Sequence, residues 1–154
     1  MGSSVELQKK VEDVCCRLIE RGAATRGEIL GCTSDEVEEV ENGLGIVLPE
    51  AYRQFLLRMG RQSGRFFRGT DFLYPSIVGL TDDAREMLED ADPSLLLPHD
   101  AVVFSMHQGY QFMFMSGGAQ DDPAVHTYVE GAGRFELVAG SFTEYLRSAA
   151  LEEW

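Results

Sequence analysis

Ala101-Val102-Val103-Phe104-Ser105-Met106-His107-Gln108-Gly109-Tyr110-Gln111-Phe112-Met113-Phe114-Met115 is where the chain stops reading as helix. Two runs rich in β-branched, aromatic and methionine residues, 101–106 and 110–115, flank the turn-forming His107-Gln108-Gly109. Side chains alternate along a strand, so Tyr110, Phe112 and Phe114 share one face and Met113 and Met115 the other. Both faces are apolar, which predicts a central strand covered on both sides. Downstream, residues 117–123, Gly-Gly-Ala-Gln-Asp-Asp-Pro, read as a loop. Residues 125–130 and 134–138 form a hairpin around Gly131-Ala132-Gly133. A last helix follows Ser141, with Phe142, Tyr145, Leu146 and Ala149 inward.

Upstream, the apolar spacing is helical. Leu7, Val11, Val14, Cys15 and Leu18 share one face of a helix over residues 4–21, stopped at Gly22. Thr33-x-x-Glu36 is a capping box that opens a second helix, with Val37, Val40 and Leu44 as its stripe and Gly43 or Gly45 as its end. Leu48-Pro49 opens a third, with proline at the first helical position and Tyr52, Phe55, Leu56 and Met59 inward. Residues 61–71 read as a loop or an edge strand. A fourth helix starts near Leu80 with Thr81 as its cap, and Asp92-Pro93 and Leu97-Pro98 break the chain after it. Helices, then consecutive antiparallel strands, then a helix predict an α+β fold. The expectation is a single domain over residues 1–154, an antiparallel-rich sheet flanked by N-terminal helices and a C-terminal helix.

A chain of 154 residues, 44% hydrophobic and 25% charged, can enclose a core. Acids outnumber bases 26 to 13, a net charge of −13. That charge repels nucleic acid and anionic membrane and favours basic partners, although solubility alone would use it equally well. Residues 35–50 hold six acids and no base; residues 82–100 hold seven acids against Arg85. Arg53, Arg58, Arg61, Arg65 and Arg68 lie between these blocks and are expected to pair with them inside the fold. No apolar run approaches the roughly 20 residues of a membrane span, and the first residues lack a signal peptide's apolar core, so a cytoplasmic location is expected. Three cysteines, Cys15, Cys16 and Cys32, without a C-x-x-C, fit a reducing compartment, with Cys15 and Cys32 as small apolar residues.

Chemistry is hard to find. His99, His107 and His126 have no metal-ligand spacing, and no metal site is expected. Gly43-Leu44-Gly45 and Gly131-Ala132-Gly133 are incomplete as dinucleotide loops, and no phosphate-binding G-x-x-x-x-G-K-[ST] occurs, so no cofactor is expected. Ser105 and Ser141 lack a nucleophile elbow. Acid–base catalysis needs carboxylates in unlike environments, whereas Asp82-Asp83, Glu89-Asp90 and Asp121-Asp122 read as solvated neighbours. No catalytic residue is assigned, and the chain reads as a binder. The candidate contact residues are Asp82, Asp83, Glu86, Asp121 and Asp122 as an acidic rim, with Tyr110 and Phe66 as aromatic anchors. Either ring reads equally well as core.

Residues 38–56, Glu-Glu-Val-Glu-Asn-Gly-Leu-Gly-Ile-Val-Leu-Pro-Glu-Ala-Tyr-Arg-Gln-Phe-Leu, carry a family pattern. An acidic helix, a Leu-Gly step, Leu-Pro and a helix with Tyr and Phe-Leu, closing near Gly60, resemble the SUKH superfamily of Smi/Knr type. Val125 and Tyr128 on one strand and Ser141-Phe142-x-x-Tyr145-Leu146 on the last helix are also similar, so the resemblance runs from about Thr33 to the C-terminus. It implies an α+β fold without catalytic residues. It also implies a partner: for bacterial members, a cognate protein toxin that an immunity protein neutralises. The alternative is an intracellular scaffold or regulatory module of the same fold. Two departures bear on the binding face: members often carry an acid in the strand that here reads Gln111-Phe112-Met113-Phe114-Met115, and a mid-chain Trp, whereas Trp154 is terminal.

Overall fold

The computed structural model describes residues 4–116 and 120–154. Part of the glycine-rich loop expected over 117–123, residues 117–119, therefore lies outside the described residues. Helix α1, Ser4–Glu20, buries Leu7, Val11, Val14, Cys15 and Leu18. Helix α2, Ser34–Leu44, is capped by Thr33, whose side chain accepts from Glu36 N–H while the Glu36 carboxylate accepts from Thr33 N–H. It ends at Gly45, which takes the left-handed conformation (φ 71°) that a side chain resists. Helix α3, Glu50–Met59, buries Tyr52, Phe55, Leu56 and Met59 as the spacing predicts. Pro49 stands one residue earlier than expected, as the capping residue.

The sheet is an antiparallel meander of β3 (Ala101–His107), β4 (Gln111–Ser116), β5 (Val125–Val129) and β6 (Glu136–Ala139), in that spatial order. The interior placement of β4 matches its two apolar faces: Phe112, Phe114 and Met115 are buried. The strand begins at Gln111, one residue later than read; Tyr110 belongs to the turn, where Gln108 and Gly109 both have positive φ. Helix α4, Leu80–Ala91, packs on β3, and α5, Phe142–Ala149, reaches β6 and α1. The expected cap of α4 is corrected. Gly79, left-handed at φ 86°, precedes the helix, and buried Thr81 instead accepts the N–H of Val103 at 3.0 Å, tying α4 to the sheet.

A second pair of two-residue strands, β1 (Ile29–Leu30) and β2 (Gln62–Ser63), joins the α1–α2 connection to the α3–α4 connection. Buried apolar residues form one connected core. At its centre the rings of Tyr52 and Phe55 from α3, Phe104 from β3 and Phe142 from α5 meet edge to face, Phe104 and Phe142 at 5.1 Å. This contact welds the helical layer to the sheet.

Candidate functional site

Four of the five arginines of the run make internal contacts, and the Arg68 guanidinium makes none among the described residues. Arg53 pairs with Glu41 at 2.5 Å, Arg61 with Glu36, and Arg58 with Glu12 at 2.7 Å. Arg65 donates to the carbonyls of Gly22 and Trp154. Two of the partners come from the acidic block at residues 35–50, as the charge pattern anticipates. These guanidinium groups are spent on holding elements together. They leave the outer acids of α4 unneutralised.

The nearest approach to a nucleophile–base pair is Thr70, whose Oγ1 lies 2.8 Å from His107 Nδ1. Asp71, the following residue, exchanges backbone hydrogen bonds with Met106. The pair ties Thr70 to the end of β3. His126 stacks on Phe114 within the sheet, and His99 is exposed. No group of three or more His, Cys, Asp or Glu able to hold a metal occurs among the described residues. Burial pushes the Cys15 and Cys32 thiols up to about 11, which suppresses the thiolate needed for nucleophilic work. A small cleft of about 80 Å³ between α2 and the start of α4 has buried Tyr52 in its wall, and burial pushes that phenol far up. It has room for a few water-sized groups only.

The candidate contact residues separate into three groups. Asp82, Asp83 and Glu86 are exposed on α4, and Glu89 and Asp90 extend the same acidic surface. Asp121 and Asp122 are half-buried and structural. The Asp121 carbonyl accepts from Ala51 N–H at the start of α3. The Asp122 carboxylate accepts from Thr143 N–H at 3.0 Å and from the Thr143 hydroxyl at 2.5 Å, satisfying the start of α5. Phe66 is corrected outright: it is 2% exposed, packed against Phe67, Phe72 and Trp154, and cannot anchor a partner. Tyr110 remains accessible at 41%, edge-on to His107.

Sequence reasoning missed Leu96. Arg85, the only base on α4, donates to the carbonyls of Leu97 and Pro98 and straps that segment to the helix. Leu97 turns inward, and Leu96 stands out at 81% exposure beside Glu89 of α4. A signal was present: three consecutive leucines between Pro93 and Pro98 have no helix or strand in which all could be buried. An exposed leucine beside an acidic helix face is the combination that protein contacts favour in general.

Fold and packing together define a single α+β domain with a helical layer against an antiparallel meander. The family comparison places it more narrowly: the model of the SMI1 / KNR4 family (SUKH-1) matches residues 31–148, and the chain belongs to that family. Comparison with curated proteins finds no match. Among the described residues no helix is long and apolar enough to cross a membrane.

Proposed function

We propose that this chain is an immunity protein that binds and neutralises a basic protein toxin without chemistry of its own. The observation that carries this reading is the outer face of α4. Asp82, Asp83, Glu86, Glu89 and Asp90 are exposed there, while Arg85, the one neighbouring base, is engaged with backbone carbonyls beside the protruding Leu96. Family membership supports a recognition role. A toxin that acts on nucleic acid would present a basic cleft, which this face complements. The charges would speed encounter, and Leu96, losing water on contact, would lengthen residence.

The test is capture of the partner by the tagged protein from its own host, followed by growth assays. The expected result is a basic protein that arrests growth when expressed alone and is tolerated when this chain is co-expressed. A captured partner without toxicity points to the scaffold role; an acidic partner or nucleic acid overturns the electrostatic argument.

A further inference from the structure

The two edges of the meander are unlike. At one edge, β3 is buried along Ala101–Met106 and bridged by Asp71, whose backbone exchanges hydrogen bonds with Met106 at 2.9 Å. At the other edge, no backbone hydrogen bond outside the β5–β6 ladder involves residues 134–140 among the described residues. Leu137 is 65% exposed and Val138 42%, and Val129 on β5 is also exposed. Open edges are ordinarily guarded by charged side chains, above all lysine, by proline, by bulges or by a covering element. Residues 134–140 contain neither Lys nor Pro. A register shift opposite Val125 and His126 bends the strand, and it leaves both apolar side chains outward.

We infer that β6 is a pairing edge that takes an extended segment of a basic partner as a fifth strand. The inference deepens the immunity reading and rests on it for the sign of the partner's charge. That sign is visible at the edge itself. Glu130 is exposed, and Asp92 approaches Gly133 at the hairpin tip. The only nearby base on the hairpin, Arg134, is already bonded to Glu136 at 2.8 Å. A second copy of the chain would bring two net charges of −13 together, whereas a basic segment meets the opposite sign. A strand alternating apolar and basic residues would meet backbone donors and acceptors, Leu137 and Val138, and the acids together.

The experiment uses the whole protein and three synthetic probes: a short peptide alternating valine and lysine, its glutamate counterpart, and the lysine peptide N-methylated along its length. Binding is read by fluorescence anisotropy, and pairing by amide hydrogen exchange over residues 134–140. The lysine peptide is expected to slow exchange there and not along β3, with affinity at least about tenfold above both controls. Leu137→Lys, a guard charge at an exposed site, is expected to lower that affinity about tenfold without moving the thermal melt. Unchanged exchange at 134–140 with excess peptide overturns the inference, as does equal binding of the glutamate peptide. Sedimentation showing a dimer that Leu137→Lys dissolves would assign the edge to a second copy and also overturn it. Survival of toxin capture in Leu137→Lys would remove the edge while keeping the immunity reading. Edge protection by the peptide without any toxic partner would do the reverse.

Discussion

Gly31 has almost no room. A Cβ built there would lie 1.7 Å from the carbonyl oxygen of Leu57, on the backbone of α3. Gly31→Ala must push β1 away from that helix and is expected to cost about 1–3 kcal/mol, the range for overpacking. Gly43, inside α2, is the contrast: nothing lies within 4 Å of its missing Cβ. Gly43→Ala removes glycine's entropy penalty from a helix and is expected to stabilise by about 0.5–1 kcal/mol. Urea midpoints of the two variants check both signs; a stable Gly31→Ala would mean that β1 and α3 can separate freely. The same scale shows where sequence reading failed. Phe66 and Tyr110 look alike as aromatic residues beside glycines, yet one is core and the other sits on a turn. Residue type carries hydrophobicity. Which loop ring reaches the core is decided by contacts with Phe72 and Trp154, six and 88 positions onward, and no local period encodes them.

Helices α1 and α3 are joined inside by the Cys15 thiol donating to Met59 sulfur at 3.5 Å, and outside by Arg58 to Glu12. The hydrogen bond from Arg58 holds the Glu12 carboxyl below its ordinary value of 4.5. A depressed folded pKa contributes stability above the unfolded value, and that contribution disappears as pH falls through the folded one. Both side chains are largely exposed, 40% and 52%, so screening keeps the contribution under about 1 kcal/mol. Glu12→Gln is expected to be slightly less stable than the parent at pH 7 and equal to it near pH 3, and the gap at pH 7 should narrow in high salt. Denaturant titrations at the two pH values decide this. An equal gap at both would assign the loss to packing. Elements were the most legible level of this chain. Regular periods gave all five helices and the meander, because each buries one face of a repeating pattern. The β1–β2 pair was not resolved, since two residues show no period. Thr81 looked like a cap because β3, which its hydroxyl serves, comes twenty-two residues later.

At the scale of the whole molecule, charge is arranged as an inner set and an outer set. Arginines of α3 and its following loop cross-link helices, and the acids of α4 face outward. Reversing Asp82, Asp83 and Glu86 to lysine is expected to slow association with a basic partner, with a flatter salt dependence, and to lower the melt modestly, because Asp82 and Asp83 lie in the first turn of α4. Leu96→Ala should act on the other rate, raising dissociation with little effect on association. Stopped-flow association and displacement kinetics at several ionic strengths separate the two. An association rate indifferent to salt would remove electrostatic steering. The acidic half of this surface was readable from charge clustering alone. For its apolar half the three leucines between Pro93 and Pro98 signal that one stays outside, and which one depends on Arg85 binding the carbonyls of Leu97 and Pro98.

Cys15 and Cys32 are sealed in the core and Cys16 faces outward from α1. A maleimide added to the folded protein therefore has one address, and the unfolded chain offers three. Thiol titration should count one fast sulfhydryl before denaturant and three after it. A dye placed at Cys16 rides on α1, which packs against α3 and α5 and carries neither the acids of α4 nor the edge of β6. It provides a fixed reporting point for single-molecule measurements of partner exchange without mutating the chain.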